Sequence, residues 1–454
     1  MNTGPLLEIF NAALAAVDPY HAVIRALRTE GSALHAGGNV YDLAAFDRCI
    51  VVGAGKATAR MAEAVEAVLD NDVTEGYIVV KYGHRGTLRT IGQAEAGHPI
   101  PDEAGVQGTE RVLELVRNAD EKTLVIFLLS GGGSSLLVAP LPGITLENKQ
   151  KTTDLLLKAG ASIDELNTVR KHLSAVKGGR LARMAHPAHV VTLVLSDVIG
   201  DRLDVIASGP TSPDSTTFGD AARVVEKYGL RPSLPPRVAA FIERGVSGQE
   251  PETAKSGEAC FLKCRYVIVG GIAQALAAAR EKASALGFIP DVITAELQGE
   301  ARDAARMLAR TALRIRDGLR PGERRCLLFG GETTVTVLGK GKGGRNQELA
   351  LSFAQEIAGM PGITLLSAGT DGTDGPTDAA GAVVDAYTVQ TARRCGIHPE
   401  TYLEHNDAYT FFHKIDSLGN PKHHVHTGPT GTNVMDIQII LVEAEPGADA
   451  AHTI

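Results

Sequence analysis

The sequence predicts an α/β fold in two domains, and three observations carry that prediction. Short apolar runs alternate with helical patterns, as at Cys49 to Gly53, Tyr77 to Val80, Leu124 to Leu129 and Val190 to Ser196; unbroken runs of this length mark parallel strands buried on both faces. Glycine-rich loops fall directly after several of these runs, where open α/β sheets hold ligands. At 454 residues the chain exceeds what one core ordinarily supports.

The elements follow in order. Leu7, Phe10, Leu14 and Val17 recur at spacings of three and four, which predicts an amphipathic helix at the start. The first forty or so residues are expected to be helical and to pack on the second domain. Met61, Val65 and Val68 with intervening alanines give one apolar stripe, so a helix is predicted over Ala57 to Leu69. Between Arg231 and Ala259 the chain turns rich in proline, glycine and charge, which places a domain crossing there. The expected domains are therefore 1–245 and 246–454. In the second half Tyr266 to Gly270, Cys326 to Gly330, Thr334 to Leu338, Ile363 to Ser367 and Ile437 to Val442 are predicted strands, and Leu349, Phe353 and Ile357 predict a helix after a glycine-rich loop. The stretch from Pro446 reads as a frayed end.

Composition narrows the function classes. A hydrophobic fraction of 44% and a net charge of −8 describe a soluble globular protein without the basic stripe that nucleic acid requires. No stretch approaches the roughly 18 to 20 apolar residues of a membrane span, and no positive charge precedes the first apolar residues as in a signal peptide. Five scattered cysteines, an odd number, argue for reduced thiols in the cytoplasm, and Cys260 and Cys264 lack the second ligand pair of a zinc site.

Several loops carry candidate chemistry. Val52-Gly53-Ala54-Gly55-Lys56-Ala57 satisfies neither the dinucleotide fingerprint, having Thr58 and Lys81 where a small residue and an acid belong, nor the Walker loop, having Ile50 and Ala57. What remains is a lysine at a helix N-terminus, so Lys56 is a phosphate or carboxylate ligand or else a solvated lysine in a turn. Ser130-Gly131-Gly132-Gly133-Ser134 follows a buried strand and predicts an N–H-lined phosphate cradle. Asp197 and Asp201 lie at another strand end; Asp197 is the better candidate to hold Mg²⁺, which favours one or two carboxylates plus phosphate oxygens and water, while Asp201 equally suits a loop cap. Arg345 opens the helix after Gly339 to Gly344, where a guanidinium can clamp an oxyanion with two bonds. Asp371, Asp374 and Asp378 share a glycine-rich loop that fails the EF-hand pattern, which leaves metal, substrate hydroxyl or general-base roles. His423, His424 and His426 read as a solvated tract rather than a metal cluster.

Together these loops resemble the class II glycerate 2-kinases, the family with the C-terminal domain called MOFRL. The similar stretches begin with Val52 to Lys56, Glu95 to Asp102, Ser130 to Ser134, Asn167 to Ser174 and Leu195 to Asp201. They continue with Gly330 to Thr333, Gly343 to Glu348, Gly369 to Asp378 and Thr427 to Asn433. At Gly270-Gly271-Ile272-Ala273 the chain departs from relatives that more often carry Ser-Asn.

The resemblance implies a Rossmann-like N-terminal domain, a distinct α/β C-terminal domain of MOFRL type and an active site in the cleft. It implies catalytic roles for Lys56 and Arg345. It also implies an ATP- and Mg²⁺-dependent kinase of D-glycerate, with an NAD(P)H-dependent hydroxypyruvate reductase as the alternative. On that footing Ser130, Gly131, Gly132, Gly133 and Ser134 receive nucleotide phosphates. Arg345, Lys56 and Asp374 hold the substrate, Asp197 and Asp378 hold metal, and Asp197 and Asp371 join the catalytic set. No nucleic-acid or membrane partner is expected, and a homodimer is the assembly considered.

Overall fold

A computed structural model of the chain describes residues 3–419 and 421–444, so the predicted frayed end from Pro446 lies outside the described residues. The chain divides into two compact units, one of residues 19–269 and one that joins the N-terminal 18 residues to the chain from Gly270 onward. The boundary thus falls at 269/270 and not at 245/246. The predicted crossing region instead contributes a helix, Pro236–Val246, whose Val238, Phe241 and Ile242 are buried against the helix Phe218–Lys227. Pro235 and Pro236 start the former helix, Pro236 at a position where a missing N–H costs nothing.

The unit of residues 19–269 begins with a helix, Pro19–Ala26, and a small antiparallel sheet of β1 (Leu27–Glu30), β2 (Ala33–Ala36) and β3 (Asn39–Asp42). That sheet corrects the expectation of a helical first forty residues. The main sheet holds β4 (Arg48–Ala54), β5 (Glu75–Lys81), β6 (Ile91–Ala96), β7 (Thr123–Leu129), β8 (His189–Leu195) and β9 (Cys264–Gly270). Its order is β6-β5-β4-β7-β8-β9, with the pairs from β6 through to β8 parallel. This is the doubly wound order of Rossmann folds, and it reverses between β4 and β7. All seven residues of β7 are buried, as its apolar run requires. The stretch from Tyr266, expected in the second half, is the edge strand of this sheet instead.

The other unit carries a six-stranded mixed sheet of β10 (Ile289–Leu297), β11 (Arg324–Gly331), β12 (Ile363–Gly369), β13 (Gly381–Asp385), β14 (His424–Val425) and β15 (Asp436–Glu443), in the order β10-β11-β15-β12-β13-β14. β10 and β11 are parallel, and the remaining pairs are antiparallel. The N-terminal helix Gly4–Ala16 belongs here, burying Leu6, Ile9, Phe10 and Ala13 and linking Glu8 to Lys282 at 2.7 Å. Of the predicted stripe Phe10 and Val17 are fully buried, while Leu7 and Leu14 are half-buried and Leu6, Ile9 and Ala13 take the inward positions beside them. Thr334 to Leu338 is not a strand, because only Thr334 bridges, to Glu300, and Val337 and Leu338 are exposed. The predicted helix after the glycine loop runs over Arg345–Glu356 with Leu349 and Phe353 fully buried. Among the described residues no helix is long and apolar enough to cross a membrane.

Candidate functional site

In the unit of residues 19–269 the loops after β4 and β7 flank the point where strand order reverses, the usual ligand position in such sheets. The two loops are bonded to each other. Lys56 N–H donates to the Gly131 carbonyl at 2.8 Å, and Ala57 N–H donates to Ser130 Oγ at 3.0 Å. Ser130 Oγ also lies 3.1 Å from Thr58 Oγ1. Gly55, at φ +151, is required here, because a Cβ would collide with Ser130 Oγ.

This geometry redistributes the predicted roles. The N–H groups of Gly55, Lys56, Ala57 and Thr58 all have protein acceptors, so the first loop offers an anion only the Lys56 side chain. The Ser130 hydroxyl is buried and spent on capping the helix Thr58–Leu69, which takes it out of the phosphate cradle. Among the described residues the N–H groups of Gly131, Gly132 and Ser134 donate to no protein acceptor, which leaves the cradle of the second loop to them.

Charge supports an oxyanion at this place. A Cβ on Gly132, at φ +85, would come within 2.9 Å of the His98 ring and 3.3 Å of Lys56 Cγ, so lysine and imidazole both border the loop. Burial, with the charges of Lys56, Lys81 and His84, pushes the His98 imidazole down to about 4, so this ring is neutral at physiological pH. Asp197, partly buried just beyond β8, is pushed up by burial and pulled back by Lys56. The structure therefore brings Lys56, Asp197 and the Gly131–Ser134 loop into one neighbourhood.

In the other unit Arg345 opens its helix as predicted but is not an open clamp. Its guanidinium forks onto the fully buried Asp436, Nε to Oδ2 at 2.6 Å and Nη2 to Oδ1 at 2.9 Å, while Nη1 reaches Glu332 at 2.7 Å. Although burial works against the charge, the Asp436 hydrogen bonds and the charges of Asp436, Glu332 and Asp374 raise the guanidinium well above its usual value. Asp374, expected to hold substrate, caps the same helix: it accepts from Asn346 N–H at 3.0 Å, Gln347 N–H at 2.9 Å and both side-chain amides. Burial pushes Asp374 up to about 6 against those bonds.

Asp371 is partly exposed and turns onto Thr373 N–H at 3.1 Å. Asp378 is exposed and accepts from the Tyr409 hydroxyl at 2.7 Å, which holds its carboxyl below the ordinary range. In the histidine tract His426 is exposed as expected, but the side chains of His423 and His424 are buried against Asp416 at 3.0 and 3.2 Å. No group of three His, Cys, Asp or Glu side chains suited to a metal occurs among the described residues. A Mg²⁺ that keeps its waters and binds phosphate needs only one or two carboxylates, and Asp197, whose only hydrogen-bond donor among the described residues is its own N–H, fits that demand.

Comparison with known proteins bears on these features. The model described as a domain of unknown function, DUF4147, matches residues 5–243, and the MOFRL family model matches residues 325–436. A D-glycerate 2-kinase of Thermotoga maritima is 48% identical over 87% of this chain and 91% of its own. The chain belongs to the glycerate 2-kinase family. A glycerate 2-kinase of Pyrococcus horikoshii is 43% identical over 97% of both chains. The crystal structure of the Thermotoga maritima glycerate kinase superposes with a TM-score of 0.84 at 45% identity, covering 96% of this chain and 98% of that one. The α/β architecture with a parallel N-terminal sheet and a separate mixed MOFRL sheet is thus that of glycerate kinases.

Sequence reasoning gave no role to Asp436, Glu332 or His98. Asp436 left one trace, being an acid that opens a strand whose interior is largely apolar. His98 could be placed only once Gly132 was known to touch it.

Proposed function

We infer that the chain transfers the γ-phosphoryl group of ATP to the 2-hydroxyl of D-glycerate, giving 2-phosphoglycerate and ADP. The observation that carries this reading is the junction of the two glycine loops, which seats the Lys56 ammonium beside free N–H groups at the switch point of a doubly wound sheet. Phosphoryl transfer asks the protein mainly to position groups and neutralise charge. Lys56 and the N–H groups of Gly131, Gly132 and Ser134 bind phosphate oxygens. Arg345, oriented by Asp436 and Glu332, presents its remaining donor capacity to the carboxylate of the acid. Asp371 is the carboxylate available to take the hydroxyl proton, because Asp374 is committed to its helix.

Mg²⁺, when bound, would be held by Asp197 and would supply charge neutralisation to the phosphates. The enzyme works in the cytoplasm, consistent with five cysteines held as thiols. The reductase name is disfavoured by Lys81, which ends β5 where a nicotinamide dinucleotide site places a ribose-binding acid. An assay with D-glycerate and Mg·ATP, coupled to enolase, tests the reading. ADP release with an enolase-competent product is expected, and no ADP release, or a product that enolase rejects, overturns it.

A further inference from the structure

Behind the second glycine loop lie three cations that the reaction described above does not use. Lys149 is 8% exposed and donates to the Leu173 carbonyl at 3.0 Å; Lys177 is 1% exposed and donates to the Ala207 carbonyl at 3.2 Å. Arg170, partly exposed, donates to the Ser134 carbonyl at 3.0 Å, on the loop itself. The three feel one another's charge: Arg170 acts on both lysines, and Lys149 acts on Lys177.

Among the described residues none of the three forms an ion pair, and no carboxylate acts on any of them. The nearby acids are committed elsewhere, since Asp214 pairs with Lys171 at 3.2 Å and Asp204 faces the same lysine at 3.9 Å. Each ammonium has three protons to donate and spends one on a carbonyl. Buried cations without counter-charge are costly, and an anion that reaches them removes the cost.

The surrounding backbone is held in an unusual form. Ala207 and Ser208 have φ +50 and +62, a left-handed conformation that side-chain-bearing residues rarely adopt. Ser208 Oγ donates to Asn167 Oδ1 at 2.9 Å and lies 3.0 Å from Ser134 Oγ, tying this turn to the loop. Lys177, Arg170 and the hydroxyls therefore converge on one spot beside Ser134.

We propose that Lys149, Arg170 and Lys177 form a phosphate subsite at the Ser134 end of the glycine loop, with Arg170 touching the ligand and the lysines supplying charge from behind. Burial disfavours the charge of both lysines, so the ligand class that fits is one with enough negative charge to restore their ammonium groups alongside Arg170, as a di- or triphosphate does and a single carboxylate does not. In the kinase this ligand is the phosphate chain of the nucleotide, and that assignment rests on the function inferred above.

Calorimetric titration of the full-length protein with pyrophosphate, ADP and D-glycerate tests the subsite. Wild type binds pyrophosphate; Arg170→Met weakens pyrophosphate and ADP about tenfold or more, the scale of a lost charged hydrogen bond, and Lys149→Met weakens them by a smaller factor through lost charge alone, with D-glycerate unchanged in both. Arg170→Lys, which keeps the charge, loses less. Unchanged pyrophosphate and ADP affinity in both methionine variants overturns the proposal, as does a loss confined to D-glycerate, which would mark a carboxylate subsite. Should Lys149→Met fail to fold, the Arg170 pair carries the test, because that side chain is partly exposed. Failure of the kinase reading alone would look different, as absent ADP formation by wild type with pyrophosphate binding intact.

Discussion

The Arg345 guanidinium and the Asp436 carboxylate form a two-bond ion pair in which the acid is wholly buried. Arg345→Ala strands that carboxylate, so unfolding free energy falls by about 3–5 kcal/mol in addition to any loss of turnover. Arg345→Ala combined with Asp436→Asn is less destabilising than the sum of the two single changes, because they share one interaction. Urea unfolding of the four proteins measures this, and strict additivity would remove the pair from the account.

Lys56 behaves oppositely. Its ammonium joins no ion pair among the described residues, so Lys56→Ala leaves stability within about 0.5 kcal/mol of wild type. Turnover with D-glycerate and ATP nevertheless drops by about two orders of magnitude, the scale of a lost charge-stabilising group. Near-wild-type turnover would place the lysine outside the chemistry.

Ser130→Ala separates capping from phosphate binding. Removing the hydroxyl that accepts from Ala57 N–H costs about 1–2 kcal/mol of stability, while KM for ATP stays close to wild type. A raised KM with unchanged melting temperature would return Ser130 to the cradle.

Gly132→Ala forces a Cβ to within 2.9 Å of the His98 ring in a backbone conformation, φ +85, that favours glycine. Activity falls sharply in this variant, whereas the double change Gly132→Ala with His98→Ala recovers part of it by relieving the contact. No recovery would mean that backbone strain alone accounts for the loss.

Lys149 makes a pH prediction. Burial, then the charge of Arg170, pulls its ammonium down to about 7, and Lys177 is the other cation facing it. The unfolded chain keeps this proton up to its ordinary value near 10.5 and the folded chain releases it above about 7, so lowering the pH across that window favours unfolding. Lys149→Met therefore gains stability relative to wild type as the pH falls from about 10 to about 7, and a constant difference across that range would contradict it.

Elements with a strong local signal were legible before the fold was known. The continuous apolar run of β7 and the helix of Leu349 and Phe353 carry their burial in the pattern itself. β6 was not legible, because Gly92, Gln93 and Glu95 make it half-polar and only pairing with β5 defines it. Thr334 to Leu338 erred the other way, since its β-rich composition finds no partner strand. Position in sequence revealed that Lys56, Ser130, Asp197, Arg345 and Asp374 sit at element ends. It did not reveal which of those polar groups the fold consumes, because Ser130 meets Ala57, and Arg345 meets Asp436, only across long stretches of chain.

The register of β4 against β7 sets Gly53 beside Leu128 and Ala54 beside Leu129, and the bonds from Lys56 to Gly131 and from Ala57 to Ser130 continue that ladder past the last strand residue. The lysine is thus indexed to the centre of the sheet like a tooth on a rack. Little conformational freedom is left for a ligand to quench on arrival, so the entropic penalty of ordering this wall of the site is settled when the sheet folds.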